Sequence, residues 1–209
     1  MLVDKPKGLT SFRVVELIKR KFKVKAGHTG TLDPIATGLL IVLTGKHTKE
    51  ASLFLKLDKG YEAKAILGIE TDTFDMKGKV LQQSGGEVTR EELQKALQGF
   101  HGDVRQVPPP FSAKKIAGRK AYELARKGVA VNIPPKQVSI YSLELKEFQF
   151  PYFTFSCDVS SGFYVRSLVH DIGEKLGVGA TVVEVRRTRV GPYQVEQAKN
   201  LEEILNYKA

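Results

Sequence analysis

The spacing of apolar and polar residues along the chain predicts several helices. After Thr10-Ser11, apolar residues recur every three to four positions and predict a helix that this pair can cap, with an apolar face of Phe12, Val15, Ile18 and Phe22. A second stripe of this kind, closed by Gly177, consists of Val165, Leu168, Val169, Ile172 and Leu176. A capping box at residues 89–92 predicts a short helix that ends at Gly99, and Asn200 starts a short terminal helix.

Other segments have the patterns of strands. Residues 39–43 form an unbroken apolar run that predicts a buried strand, and residues 61–69 alternate as a half-buried strand does. Residues 138–148, 153–159 and 182–190 also have strand patterns. Because strands outnumber helices and many connections are short, we predict an α+β fold with a mixed sheet and flanking helices, not a doubly wound parallel sheet. We expect one domain over residues 1–209.

One segment differs in character from the rest. Residues 106–115 contain three consecutive prolines, which exclude a helix or a central strand there. A basic, helix-like piece follows at residues 122–126, and Pro134-Pro135 ends the segment. We therefore predict a protruding, cationic insertion over about residues 106–135.

The charge of the chain favours a polyanionic partner. The formal net charge is +10, and the cations form three clusters: residues 19–25, residues 114–127, and Arg186, Arg187 and Arg189. A single cluster is most often a solvated face, but three clusters in one basic chain favour nucleic acid. Composition does not distinguish RNA from DNA.

The cysteine count and the hydropathy pattern indicate in which cellular compartment the protein is expected. The only cysteine, Cys157, lies in an alternating apolar run and is interpreted as a buried structural thiol, so no disulfide framework is expected. Neither an apolar stretch of membrane-spanning length nor a signal peptide is present. We expect a cytoplasmic monomer without membrane contact.

The richest candidate chemistry lies in residues 26–40. Asp33 stands in a Gly/Thr-rich loop directly before the apolar run, among the polar side chains of His28, Thr29, Thr31 and Thr37. The simpler interpretation is that Asp33-Pro34 begins a helix, with the aspartate as N-cap. The strand pattern after Gly38 and the number of polar groups around Asp33 favour a functional loop instead.

Several kinds of site have no support in the sequence. The four histidines form no i, i+4 pair and have no cysteine cluster near them, so a metal site is not expected. Walker A, G-x-G-x-x-G and G-x-S-x-G patterns are absent. A carboxylate, aromatic residues and many cations remain, and this set suits chemistry on a nucleoside.

Five blocks in order give the chain a resemblance to the TruB-type tRNA pseudouridine synthases. They are residues 4–11, 27–45, 59–75, 106–115 and 161–187. The resemblance implies the pseudouridine synthase fold, with a mostly antiparallel sheet. It also implies isomerisation of uridine to pseudouridine at position 55, in the TΨC arm of tRNA, with neither metal nor organic cofactor.

The resemblance also implies roles for individual residues. Asp33 would be the essential carboxylate, Arg166 the arginine that pairs with it, and Tyr61 the aromatic ring that stacks on the flipped base. Whether Asp33 adds to C1′ or removes the C2′ proton stays open. The other matched residues would bind substrate: Tyr164 and Val185 at the uracil, His28 at the unstacked loop, Lys5 in support of the catalytic loop, and Lys114, Lys115 and Arg119 at RNA phosphates.

The chain departs from the family pattern in a few places. Phe163 replaces the usual threonine, Val165 the usual isoleucine and Val185 the usual leucine. Many family members continue into a C-terminal RNA-binding domain of the PUA type, which we do not expect here. Two alternatives remain: an RNA-binding and folding factor that keeps the scaffold, and a guide-RNA-dependent relative similar to dyskerin. The combination of Asp33, Tyr61 and Arg166 favours an enzyme, and our expectation that no C-terminal PUA domain follows counts against the guide-dependent relative.

Overall fold

The structure is a computed structural model that describes residues 1–112, 114–116, 118–125 and 133–207. Its strands are, in chain order, β1 (Leu2–Lys5), β2 (Ala26–Thr29), β3 (Thr37–Thr44), β4 (Lys59–Leu67), β5 (Ile69–Thr71), β6 (Val80–Gln83), β7 (Gly102–Gln106), β8 (Lys115–Ile116), β9 (Arg119–Lys120), β10 (Lys136–Gln149), β11 (Tyr152–Val159), β12 (Ala180–Val190), β13 (Tyr193–Gln194) and β14 (Lys199–Asn200). Its α-helices are α1 (Ser11–Phe22), α2 (Ala51–Leu55), α3 (Arg90–Gln98), α4 (Ala121–Ala125), α5 (Val165–Leu176) and α6 (Leu201–Asn206).

The chain divides into two compact units. The first comprises Met1–Glu62 and Glu184–Ala209, and the second comprises Ala63–Val183. The strands β4 and β12 each have residues in both units. The assignment of residues 1–209 to one domain stays a prediction.

The first unit contains the strand order β14-β1-β3-β12, with β2 beside β3 and β13 beside β12. β1 pairs antiparallel with β3, whereas β14 pairs parallel with β1 and β12 pairs parallel with β3. The apolar run of β3 is buried and packs with residues near the end of the chain, forming a core of Leu39, Ile41, Leu43, Val190 and Val195. Thr10 caps α1 by accepting a hydrogen bond from Arg13 N, as the sequence predicts.

The second unit contains the strand order β12-β4-β11-β10-β7. β10 pairs antiparallel with both β11 and β7. The face of β11 predicted to be buried is buried, and it consists of Phe153, Phe155, Cys157 and Val159. Helix α5 buries the apolar stripe found in the sequence and ends at Gly177, and α3 begins with the predicted capping box. Burial raises the pKa of the Cys157 thiol to about 12.

The predicted fold class is therefore confirmed: helices flank a mixed sheet whose pairs are mostly antiparallel. One strand prediction was too long, since residues 61–69 do not form a single strand. Gly68 takes a positive φ of 83° and its N–H donates to Gly179 O, which separates β4 from β5. Within the described part of the chain, every helix is too short or too polar to cross a membrane.

Candidate active site

Asp33 lies in a tight turn that leads into β3. The backbone N–H of Ala36 donates to Asp33 O at 3.0 Å, and Pro34 occupies the second position of the turn, where its fixed φ fits. The alternative interpretation of Asp33-Pro34 as a helix start is wrong, because the chain becomes extended at Thr37. The Asp33 side chain is partly buried.

Hydrogen bonds hold the backbone on both sides of Asp33. The buried hydroxyl of Ser11, in the first turn of α1, donates to Leu32 O at 3.1 Å and accepts from Leu32 N at 2.8 Å. The N–H of Gly8 donates to Pro34 O at 2.7 Å. The residues before and after Asp33 are thus tied to the loop after β1 and to α1.

A buried arginine completes the frame of this loop. Arg187 in β12 is 1% exposed, and its guanidinium donates to Leu39 O at 2.7 Å and to Gly30 O at 3.1 Å. Gly38 has φ +98° and lies so close that a Cβ there would meet the backbone oxygen of Arg187 and come within 2.8 Å of its nitrogen. The sequence places Arg187 in one of three cation clusters that favour nucleic acid, whereas in the structure its side chain is buried and binds backbone carbonyls of the protein.

The rest of that cation cluster is also engaged by the protein. Arg186 Nη1 and Nη2 donate to the two carboxylate oxygens of Asp4, at 3.1 Å and 2.7 Å. Arg189 donates to Gly191 O. The contact with Asp4 raises the pKa of Arg186.

Besides Asp33, four of the predicted site residues lie in the first unit. Lys5 is fully buried and its Nζ donates to Pro6 O and Leu9 O, at 2.9 Å and 2.7 Å, in the loop that contacts Pro34 through Gly8. Tyr61 in β4 is half-buried, and Val185 in β12 is buried. His28 lies in β2, where its Nδ1 is buried and finds no hydrogen-bond partner among the described residues. Burial, and then the charge of Arg187, lower the pKa of His28.

Arg166 and Tyr164 lie at the beginning of α5, in the second unit. Arg166 is 5% exposed; its Nη1 donates to Thr73 O at 2.8 Å and its Nη2 donates to Phe111 O at 3.0 Å. A carboxylate oxygen of Asp75 lies 3.9 Å from Nη1. Carbonyl oxygens and a carboxylate therefore surround this buried cation, as its desolvation requires.

Two residues of this region were not selected from the sequence. Gln106 forms two hydrogen bonds with the backbone of Tyr164, and Asp75 faces Arg166. In the sequence, Asp75 is only the last residue of the block 59–75, and Gln106 is only the first residue of the proline-rich segment and of the block 106–115. Their partners lie 58 and 91 positions away along the chain, so no local pattern could reveal them.

A third group was also missed. The ligand atoms of His170, Asp171 and Glu174 lie within 4.8 Å of one another, the one such group in the part of the chain that is described. The His170 ring stacks on Phe74 at 3.9 Å. Burial and the charge of Glu174 raise the pKa of Asp171 to about 7. The metal-site patterns considered in the sequence are a pair of histidines and a cluster of cysteines. This group has one histidine and two carboxylates, so it matches neither pattern.

The insertion is described in part. Residues 107–110 lie in neither helix nor strand, as the prolines predict, and β8 and β9 form a small hairpin before α4. Lys114 donates to Pro134 O at 3.2 Å. For Lys115 and Arg119 the backbone lies in β8 and β9 while the side chains are outside the described part, as are residues 126–132.

Two family models together match residues 17–209. The model for the TruB family pseudouridylate synthase (N terminal domain) matches residues 17–165. The model for the tRNA pseudouridylate synthase B C-terminal domain matches residues 166–209.

Curated relatives and solved structures agree with that match. The tRNA pseudouridine synthase B of Aquifex aeolicus (strain VF5) is 50% identical over 214 residues, which cover 99% of this chain and 73% of the relative. The tRNA pseudouridine synthase B of Clostridium tetani (strain Massachusetts / E88) is 44% identical over 204 residues, which cover 97% of this chain and 71% of that relative.

Among solved structures, a chain of a Cbf5-Nop10-Gar1 complex matches with a TM-score of 0.78 and 32% identity, over 99% of this chain and 53% of that one. A chain of an H/ACA RNP bound to a substrate RNA containing 2′-deoxyuridine matches with a TM-score of 0.75 and 30% identity, over 99% and 52%. This chain thus spans about half the length of those two chains. With the family models matching residues 17–209 and relatives at 44–50% identity over nearly its full length, the chain belongs to the TruB family of pseudouridylate synthases.

Proposed function

We propose that this chain isomerises uridine to pseudouridine at position 55, in the TΨC arm of tRNA. Its family membership supports this function, as do the relatives named tRNA pseudouridine synthase B that align with 97–99% of its length. The net charge of +10 suits an RNA substrate, since phosphate contacts supply much of the affinity for nucleic acids.

The observation that carries the proposal is the way Asp33 is presented. The carboxylate stands on a turn whose backbone is held on one side by Ser11 and on the other by Gly8, while Arg187 holds the flanking loop. A carboxylate fixed in this manner is preorganised for a reaction at a ribose, where positive charge develops as the base leaves.

The reaction needs no external reactant. The C1′–N1 bond breaks, the uracil turns, and a C1′–C5 bond forms; the hydrogen on C5 is lost as a proton and N1 gains one, so that substrate and product are isomers. Asp33 takes part either by adding to C1′ or by removing the C2′ proton. Both roles need an ionised carboxylate close to the sugar.

The other assignments complete the proposal. Tyr61 stacks on the extruded uracil, Arg166 supplies a positive charge to the reaction, and Tyr164 and Val185 line the uracil. His28, whose lowered pKa keeps its ring neutral at neutral pH, assists in holding the opened loop. Lys5 supports the catalytic loop, and the insertion, through Lys114, Lys115 and Arg119, contacts phosphates.

Two other functions are less well supported. A pure RNA-binding factor has no need of a carboxylate held as Asp33 is. A guide-dependent enzyme would relate the chain to the H/ACA complexes, but those matches are 30–32% identical, whereas the tRNA-named relatives are 44–50% identical.

The proposal is tested with purified protein and an unmodified tRNA transcript, following pseudouridine at position 55. Asp33→Asn should lower the rate by at least about 10³-fold, because the amide can neither attack nor accept the proton, while tRNA affinity stays within a few fold. Asp103→Asn, an exposed carboxylate on β7, is the matched control and should keep the wild-type rate.

A transcript with cytidine at position 55 separates the position from the activity. It should give no product with the wild-type protein. Full turnover by Asp33→Asn would remove the proposed role of this residue, and pseudouridine at another position only would contradict the assigned site.

A further inference from the structure

Gln106 connects the end of β7 to the beginning of α5. Its side-chain Nε2 donates to Tyr164 O at 3.0 Å, and its Oε1 accepts from Tyr164 N at 2.8 Å. One planar amide thus satisfies both peptide groups of Tyr164, as a neighbouring strand would. Asparagine and glutamine carry a donor and an acceptor side by side in one planar amide at any pH near neutral.

These two bonds are made at a helix start that has no cap from its own side chain. Tyr164 is the N-cap residue of α5 and forms no side-chain capping bond. Gln106 is 3% exposed, so water does not compete for the bonds. Without the amide, the part-buried N–H of Tyr164 would lose this partner, which is the costly way to lose a hydrogen bond, while its carbonyl would keep only the N–H of Leu168 at 3.2 Å.

Neighbouring bonds fix the same turn of α5. The buried hydroxyl of Ser167 donates to Val107 O at 2.7 Å, and Arg166 Nη2 donates to Phe111 O at 3.0 Å. Residues 106, 107 and 111 therefore form hydrogen bonds with residues 164, 167 and 166, respectively. Two of these three α5 residues, Tyr164 and Arg166, are ones to which the proposed function gives a role.

The segment that makes these bonds is itself rigid. Gln106 pairs with Lys136 of β10, so its backbone belongs to the sheet. Pro108 and Pro109, which follow, are buried and have a fixed φ. A rigid strand end can impose its geometry on the helix start to which it is bound.

We propose that Gln106 is a positioning residue of the isomerisation, which sets the backbone of Tyr164 and thereby the side chains of Tyr164 and Arg166. This role rests on the proposed function. Gln106 is buried and both of its hydrogen bonds are made within the protein, so its loss changes the rate of the bound complex more than the affinity for RNA. A shift of about 1 Å in a positioned group is enough to cost up to about 10²-fold in rate.

The first test is Gln106→Leu, measured as the single-turnover rate with protein in excess over tRNA, together with the tRNA Kd. The rate should fall at least about tenfold while the Kd stays within about twofold of wild type. Gln137→Leu, an exposed glutamine on β10, is the matched control and should change neither quantity.

A second variant, Gln106→Glu, tests the hydrogen-bond donor and still reports if the leucine variant does not fold. Ionised glutamate can accept from Tyr164 N but has nothing to donate to Tyr164 O, whereas protonated glutamate can do both. Because a buried carboxyl is protonated more readily, the rate of Gln106→Glu relative to wild type should rise as the pH falls from about 8 to about 6.

The outcomes separate the two proposals. A wild-type rate for Gln106→Leu overturns the positioning role alone, and so does a Kd that weakens as much as the rate falls. A flat ratio of Gln106→Glu to wild type across this pH range overturns the need for the donor. Absence of pseudouridine with the wild-type protein overturns the proposed function, and the positioning role with it.

Discussion

Two buried arginines, one in each compact unit, bind the regions around them in different ways. Arg187 binds the Asp33 loop through the carbonyls of Gly30 and Leu39. Arg166 binds the carbonyls of Thr73 and Phe111 and also faces the carboxylate of Asp75 at 3.9 Å. Both cations are nearly inaccessible to water, so each must find its hydrogen-bond partners inside the protein.

The difference lies in what each arrangement requires of its neighbours. The backbone of Gly38 lies close to the backbone of Arg187, and both Gly38 and Gly30 adopt positive φ. The packing there therefore depends on glycine, which has no side chain. Around Arg166 a side-chain carboxylate contributes, so the fit depends on charge. We therefore expect the first region to be sensitive to added atoms and the second to a lost charge.

The largest effect is expected from Gly38→Ala. A Cβ at Gly38 would collide with the backbone of Arg187, and alanine disfavours the φ of +98°. We expect a loss of stability of about 3 kcal/mol or more, measured as the free energy of unfolding in urea.

Gly27→Ala is the control for that comparison. Gly27 lies in β2, which pairs with the strand β3 that contains Gly38, but nothing lies within 4 Å of its added Cβ. Its stability should change by less than about 0.5 kcal/mol. Equal stability of the two variants would show that the close approach of Arg187 does not shape the loop.

A smaller loss of stability is expected from Asp75→Asn. The amide oxygen can still accept from Lys77 N and from the hydroxyl of Thr73, so the change isolates the negative charge beside Arg166. Leaving a buried cation with less compensation should cost about 1–3 kcal/mol in the free energy of unfolding.

Asp72→Asn is the matched change in the same loop. Its Oδ1 accepts from Lys79 N, and asparagine can keep that bond. The asparagine at 75 should therefore be the more destabilising of the two. If both variants had the wild-type midpoint, the carboxylate of Asp75 would not be part of what holds Arg166.

The smallest effect concerns His28, on which Arg187 acts through its charge. Burial and that charge lower the pKa of His28 from its ordinary value of 6.5. At a pH between the lowered pKa of the native protein and 6.5, the unfolded chain therefore binds a proton at His28 more readily than the native protein does. Stability should fall as the pH drops through 6.5 toward the lowered pKa, and this contribution is fully present above 6.5.

The measurement is the melting temperature as a function of pH. His28→Gln should flatten the decline on the acid side, and His47→Gln, which removes an exposed histidine beside Glu50, is the control. An acid-side slope unchanged in His28→Gln would mean that burial and the charge of Arg187 together do not lower the pKa of this ring enough to affect stability.

Local patterns in the sequence determined most of the secondary structure. The capping threonines at 10 and 89, the closing glycine at 177 and the alternation of β11 all predicted elements that the structure contains. Each of these signals depends on residues a few positions apart, which is the range over which caps, helical stripes and strand alternation act. The five blocks of family resemblance likewise needed nothing beyond the order of residues.

Only the tertiary structure decided how the candidate site residues are held. In the sequence, Arg187 belongs to a cluster of cations, Asp33-Pro34 could begin a helix, and Gln106 is only the first residue of the proline-rich segment. The partners of Arg187 and Gln106 are backbone groups at Gly30, Leu39 and Tyr164, from 58 to 157 positions away along the chain. A backbone carbonyl is the same for every residue type, so the sequence cannot show which buried side chain will bind it; that choice is made when the strands and helices pack.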